Sequence, residues 1–322
     1  MFETSGWFDD WQETTQLGLE VTERAGNGRG RAAMLYSTGT LNMFRQCLPD
    51  AELSLGLALE LFDAEHDRHG RALVLRNLAY IDRLRGDFAA MLTRYAESLE
   101  LMRATGDRMG EAHVLRSIAK FWIDEGDTGR AKPLLEDALA ICRQVHCVRG
   151  EAQVMHRFAE LHLVTDQIEP AREALNRVLL IVRNIGDQIG EAYALYGLGV
   201  VRFREGRLHN AETTLVHALS VSRQVGERLV EGQVLYTLGE IELARGHPAR
   251  AETHLVAARR LFDKLGSSVF QAKTLIVLSE VHGETGDDQQ ARQDIEEAAR
   301  LLGTIESKEA SRWLAYLETS RS

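Results

Sequence analysis

The segment CRQVHCVRGEAQVMH places Cys142, His146, Cys147 and His156 close together in the chain. Thiolates and imidazoles are good ligands for zinc, and Cys142 and His146, four residues apart, would share one helix face as half of such a set. Cys142, however, occupies the same repeat column as Phe62, Met102 and Val182, so its sulfur reads as a core atom. No metal site is expected. The three cysteines, Cys47, Cys142 and Cys147, are an odd set and read as free thiols of a reducing compartment.

Catalysis finds no better footing. The chain carries 48 acidic residues, but they fall at exposed helix positions. A general acid and base need two elements to converge in a dry cleft. No nucleophile–base–orienter set stands out, and no G-x-x-x-x-G-K-[ST] phosphate loop occurs. The expectation is a chain with no catalytic residues and no cofactor. The net charge of −10 argues against a duplex-DNA reader, which neutralises phosphates with clustered lysine and arginine; no direct nucleic-acid contact is expected. No apolar run approaches the roughly 20 residues of a membrane span, and the acidic start MFETSGWFDDWQETT is unlike a signal peptide. A cytoplasmic protein without membrane contact is expected. Only five of the 38 basic residues are lysines, a bias that hints at a bacterial source.

The elements that must position any binding residue are written as a repeat of 40 residues, in the frame 30–69, 70–109, 110–149, 150–189, 190–229, 230–269 and 270–309. One column reads Ala32, Ala72, Ala112, Ala152, Ala192, Gly232, Ala272; three residues on stand Leu35, Leu75, Leu115, Met155, Leu195, Leu235, Leu275. A small column follows: Gly39, Ala79, Ala119, Ala159, Gly199, Gly239, Ser279. Spacings of three and four in each half predict two amphipathic helices per repeat, A and B. Gly86, Gly126, Gly206, Gly246 and Gly286 suit the left-handed residue that ends helix A, and Gly106, Gly186, Gly226 and Gly266 do the same for helix B. Pro49, Pro133, Pro170 and Pro248 are expected at the A–B turn or in the first turn of B, where a missing N–H costs little. Asp107, Asp187 and Glu227 stand where they can cap the next helix A. Because one hairpin cannot bury its apolar face alone, each must offer the next the same face in register.

Leu198, Gly199, Gly206, Ala211, Leu215 and Ala218 resemble the column pattern of the tetratricopeptide repeat. The period departs from the standard motif of about 34 residues. Its usual helix-A tyrosine is replaced by Asn42, Asp82, Trp122, His162, Arg202, Glu242 and His282. The resemblance implies an all-α, right-handed α-solenoid. The arginine-rich array, punctuated by GD and GEA, is similar to the C-terminal repeats of large actinobacterial regulators, the AfsR-like Streptomyces antibiotic regulatory proteins, and to the arrays of large LuxR-type ATPase regulators. In such regulators a DNA-binding domain and an ATPase domain precede the repeats, so these domains are expected partners of the array. Residues 10–26 align with a B helix such as 130–146. The chain thus opens in mid-repeat, and a fragment of a longer regulator is expected. The alternative is a complete small protein whose Trp7, Phe8 and Trp11 cover the open end. Three segments are expected: an N-terminal half-repeat and cap over 1–29, seven repeats over 30–309 and a capping helix over 310–322. In the last, Trp313, Leu314 and Leu317 form the apolar side, with Arg312, Glu318 and Arg321 on the wetter one.

Plotted at about 100° per residue, the columns of 113, 116, 120, 123 and 124 lie away from the packed columns and vary between repeats. In tetratricopeptide arrays these columns line the concave groove. The candidate groove residues are Tyr36, Arg76, Tyr80, Arg83, His113, Arg116, Lys120, Gln153, His156, Tyr193, Tyr196, Gln233, Tyr236 and Glu240. The basic members come early in the chain; Glu240, Glu280 and Glu284 come late. The expected guest is an extended peptide or a partner's segment. Its carboxylate would meet Arg76, Arg116 and Lys120, and its side chains would meet the tyrosines. The other readings are solvated surface charges, a stand-alone receptor for a signalling peptide or a small-molecule effector, and an oligomerisation module dimerising through Phe2, Trp7, Phe8 and Trp11.

Overall fold

The computed structural model describes residues 4–45 and 47–320, with the side chains of 4–7 and 318–320 left aside. The described residues form sixteen helices and no strand. They divide into two compact units, Met1–Ile118 and Ala119–Ser322. The first unit holds α1 (Thr4–Arg24), α2 (Gly28–Phe44), α3 (Leu48–Ala64), α4 (Arg68–Arg85) and α5 (Phe88–Thr105), and the division falls inside α6 (Arg108–Asp124). The second holds α7 (Thr128–Gln144), α8 (Val148–Val164), α9 (Ile168–Asn184), α10 (Gln188–Arg204), α11 (Leu208–Val225), α12 (Arg228–Ala244), α13 (Pro248–Lys264), α14 (Ser268–Thr285), α15 (Asp288–Leu302) and α16 (Lys308–Ser320). From α2 to α15, even-numbered helices are A and odd-numbered helices are B.

The turns work as their residues predict. Gly86, Gly126, Gly206, Gly246 and Gly286 all take positive φ, and Gly106, Gly186, Gly226 and Gly266 do so after helix B. Where the column lacks glycine, His66, His146 and Asp166 adopt the same left-handed conformation. His146 is thus a helix-ending residue. Cys142 is buried within the hairpin, and its sulfur is filler. The Asp187 carboxylate accepts the Gly190 N–H at 3.1 Å, and Glu227 accepts that of Leu229 at 3.3 Å. Pro49 and Pro248 open their helices, and Pro170 sits in the first turn of α9. Pro133 departs from expectation. It stands inside α7, beyond the first turn, and its missing N–H leaves the Gly129 carbonyl without an intrahelical i+4 donor.

The cores follow the columns. In the first unit Ala32, Ala51, Leu55, Ala58, Phe62, Val74, Leu78 and Ile81 close on one another. In the second, Ala192, Leu195, Ala211, Leu215, Ala218, Val230, Val234, Leu238 and Ile241 form one of several successive clusters. The small column makes room for the leucine of the following B helix. A Cβ on Gly199 would stand 2.5 Å from the Leu215 side chain, and one on Gly239 2.6 Å from Leu255. Gly199→Leu is therefore expected to cost about 1–3 kcal/mol. Ser117→Leu, at a partly open position, should stay within about 0.5 kcal/mol of wild type. Urea melts of the two variants compare them directly, and equal losses would contradict close packing at the small column.

Two ladders of polar contacts join neighbouring helices. Arg103–Glu111, Arg143–Glu151, Arg183–Glu191 and Arg223–Glu231 tie the ends of α5, α7, α9 and α11 to the next A helix at 2.7–3.1 Å. Their arginines are half exposed, so each pair contributes little, though Glu111 is buried. The column that lost the tetratricopeptide tyrosine pairs A with B twelve residues on: Asp82 with Arg94 at 2.7 Å, Arg202 with Thr214, and His282 with Asp294 at 2.7 Å.

At the N-terminal edge, the Trp11 indole N–H donates to Ser37 at 2.7 Å and its ring packs on Phe44. The Arg45 guanidinium lies 5.9 Å over the Phe8 ring. Phe2 and the Trp7 side chain lie outside the described residues. At the other end, Ala310 and Leu317 of α16 are buried with Ala272, Leu275, Ala298 and Leu302. The α16 N-terminus is held from far away in sequence: Glu125 accepts the Lys308 N–H at 2.9 Å and the Glu309 N–H at 3.4 Å, while Arg312 donates to the Asp124 carbonyl at 2.7 Å. Arg321 lies outside the described residues, as does the Glu318 side chain.

Candidate binding face

Tyr36, Arg76, Tyr80, Arg83, His113 and Arg116 all belong to the first unit. The Arg76 guanidinium donates to the Tyr36 hydroxyl at 2.9 Å and leans on Asn77 at 3.4 Å, so it is oriented before any ligand arrives. Tyr80 is exposed and Arg83 half-buried. Surrounding protein, and then the Arg116 and Arg76 charges, push the His113 ring well below its usual pKa, though its edge stays open to solvent. His113 is therefore neutral near pH 7, and the positive charge on this face is arginine.

The second unit holds the remaining candidates. Lys120 is spent locally: it pairs with Asp124 and approaches Glu160 at 3.9 Å. Glu160 also accepts Arg157 at 2.7 Å. Burial alone would raise its pKa, but Arg157, Lys120 and His156 outweigh that and hold the carboxyl at about 2. His156 is buried. Its Nε2–H donates to the Tyr193 carbonyl at 3.2 Å, and its ring meets the Tyr193 ring edge-on at 5.7 Å. Burial pushes it down to about 4, so it is a neutral brace between α8 and α10. Gln153, on the same helix, is exposed.

Tyr196 shares a hydrogen bond with Thr237 of α12, and burial, then the Glu240 charge, raises its pKa. Tyr236 hydrogen-bonds Glu240 one turn later. Tyr193 hydrogen-bonds Glu227, and Gln233 is half-buried on α12. Tyr193, Tyr196, Gln233, Tyr236 and Glu240 thus stand on two consecutive A helices. Beyond them the face opens into a cavity of about 810 Å³ between α12, α14 and α16. Its walls include Ile276 and Val277, the rings of Tyr236, Trp313 and Tyr316, and the carboxylates of Glu240, Glu280, Glu284 and Glu309. Burial pushes Glu240 up to about 7; the Tyr236 hydrogen bond opposes this and Glu280 adds to it. Burial likewise raises Glu280, relieved by the Tyr316 hydroxyl at 3.3 Å and worsened by Glu284.

Trp313, Tyr316 and Glu309 of α16 are among the lining residues that sequence reasoning missed. Trp313 packs against the terminal core, as its place on the apolar side of a capping helix predicts, and also lines the cavity. The i, i+3 spacing of two aromatics on a terminal helix was the available signal.

Residues 190–264 match the tetratricopeptide repeat family. No match was found among curated proteins. Among solved structures, the chain is similar to a Rap protein complexed with competence and sporulation factor, at 14% identity over 99% of each chain and a TM-score of 0.64. It is similar to NprR in complex with its cognate peptide NprX, again at 14% identity over 99% of each chain, with a TM-score of 0.61. A third likeness is to a signal transduction ATPase with numerous domains carrying a tetratricopeptide repeat sensor, from Pyrococcus horikoshii. There identity is 13%, the match covers 98% of this chain and 50% of that one, and the TM-score is 0.57. Likeness at these identities speaks to the fold: all-α, an α-solenoid of tetratricopeptide-like hairpins.

Proposed function

We propose that this chain is a non-catalytic recognition and sensing domain that holds an extended peptide or a partner's segment along its helix-A face. The observation that carries this reading is the succession of Tyr196, Gln233, Tyr236 and Glu240 on neighbouring A helices, running into the cavity beside α16. Tyrosine supplies a large, rigid contact with a polar tip at low entropy cost. Variable columns on a repeat array are free to select a guest. Two similar folds lend support: the NprR structure holds its cognate peptide, and the Pyrococcus protein's repeats are named a sensor. The domain works in the cytoplasm of a bacterium, as part of a multidomain transcriptional regulator of the antibiotic-biosynthesis type. The 40-residue arginine-rich pattern is the ground for that context. Guest binding stiffens the array and passes the change to the regulator's ATPase and DNA-binding domains.

A second reading, a stand-alone receptor for a signalling peptide, draws on the end-to-end likeness to NprR. The genomic reading frame separates the two: ATPase codons running into Met1 support the regulator, and an in-frame stop supports the receptor. The binding claim itself is tested by panning the chain against an array of end-blocked octapeptides. Wild type is expected to retain a defined set, and Tyr196→Ala plus Tyr236→Ala to lose it while circular dichroism stays helical. A wild type that retains nothing, or a double variant that keeps the set, overturns the reading.

A further inference from the structure

The cavity beside α16 differs from the rest of the face in chemistry. Its rings come from two elements, Tyr236 on α12 and Trp313 and Tyr316 on α16. Two cations stand at its rim: Arg312, a lining residue, donates to the Asp124 carbonyl, and Lys273 pairs with Glu309 and lies 5.6 Å over the Trp313 ring. Among the described residues no ion pair reaches Glu240, Glu280 or Glu284. Carboxylates gathered without a directly paired cation are costly to hold together, and here Glu280 raises the Glu240 pKa and Glu284 that of Glu280; aromatic faces attract cations, as Lys273 over Trp313 illustrates. The acids do not converge as metal ligands do: no group of three His, Cys, Asp or Glu side chains fit to hold an ion exists among the described residues. A spread of acids around rings suits an extended organic cation better than a compact metal ion. The wall is also set in advance, because Glu125 and Asp124 fix the first turn of α16. A preset wall spares a ligand the cost of ordering it.

We propose that this cavity is the subsite for a basic side chain, arginine or lysine, of the bound peptide, its charge met by Glu240, Glu280 and Glu284 and its stem by Trp313 and Tyr316. The inference rests on the peptide-binding reading above and names the chemistry of one of its positions. The cavity volume admits a whole side chain with part of its backbone, and Tyr196 on α10 and Gln233 on α12 belong to the neighbouring A helices.

Two end-blocked probes test this by calorimetry: acetyl-Ala-Arg-Ala-amide and its citrulline counterpart, which keeps the shape and loses the charge. The arginine probe is expected to bind about tenfold more tightly and to change Trp313 fluorescence. Glu240→Gln plus Glu280→Gln plus Glu284→Gln should erase that preference, and raised salt should narrow it in wild type. Equal binding of the two probes to wild type overturns the proposal whether or not the triple variant folds. So does a triple variant that keeps the preference. Spermidine binding more tightly than the arginine probe overturns the peptide source in favour of a free amine. The two readings fail separately. Octapeptides retained on the array without enrichment in arginine or lysine sink this subsite and leave the peptide-binding face standing, while an empty array removes both.

Discussion

Leu215→Ala is expected to destabilise the second unit by about 2–5 kcal/mol. The side chain is fully buried in the cluster of Ala192, Leu195, Ala211, Ala218, Val230, Val234, Leu238 and Ile241. It also fills the space that the missing Cβ of Gly199 leaves open. Alanine would remove the transfer energy of three carbons and leave a void that two rigid helices cannot close. The cluster around Leu215 joins adjacent hairpins, so the loss should be local. Hydrogen exchange is expected to rise first in α10, α11 and α12, with the helices of Met1–Ile118 unchanged at the same denaturant concentration. Uniform acceleration across all helices would show that the array melts as one cooperative body. A loss below about 1 kcal/mol would show that the Leu column is not the packing core.

That locality also explains what the sequence could disclose. The 40-residue frame encodes contacts between adjacent hairpins, and these were readable. Segments expected as A and B helices emerge as α6 (Arg108–Asp124) and α7 (Thr128–Gln144), and the glycines placed at turns take positive φ. The same logic hid the polar ladders in plain view. Arg183 and Glu191 recur with their equivalents at a spacing of eight, a pattern that apolar periodicity does not test. Contacts between distant repeats carry no period at all. Glu125 meets Lys308 across 183 positions, and no local rule forecasts that an acid in an A–B turn will cap the last helix. With α16 held there, Trp313 and Tyr316 line the cavity. For the groove residues the wheel gave the face but not the occupancy of each side chain. His156 is turned to the Tyr193 carbonyl, and Lys120 is neutralised by Asp124 four residues on. The second of these was visible as an i, i+4 pair.

The second large effect is expected in the pH dependence of stability, through Glu240. Its folded pKa is about 7 against an ordinary 4.5, with burial the leading cause. A carboxyl raised in this way leaves the folded state intact below about pH 4.5. Between there and pH 7 the unfolded chain releases its proton first, so stability falls as pH rises, and the loss is complete above 7. The full shift corresponds to about 3 kcal/mol. Because the group is partly open to solvent, about 1–3 kcal/mol is the expected range. The groups facing it are Tyr236 on its own helix, Glu280 and Lys273 on α14 and Arg204 on α10. Lys273 and Arg204 pull its pKa down, but by less than burial raises it; Lys273 is paired with Glu309, and Arg204 donates to the Leu163 carbonyl at 2.6 Å. Glu280 is raised as well and deepens the same slope. Glu240→Gln keeps the shape and a partner for the Tyr236 hydroxyl but removes the titration. The variant should melt close to wild type near pH 4.5 and clearly above it near pH 8. A variant that melts below wild type at pH 8, or a difference that does not grow with pH, would show that this carboxylate is at ease where it stands. The same linkage predicts that the arginine probe binds wild type more tightly at pH 8 than at pH 5.5, since bound cation and bound proton compete for one charge. In Glu240→Gln that gain should shrink to what Glu280 alone supplies.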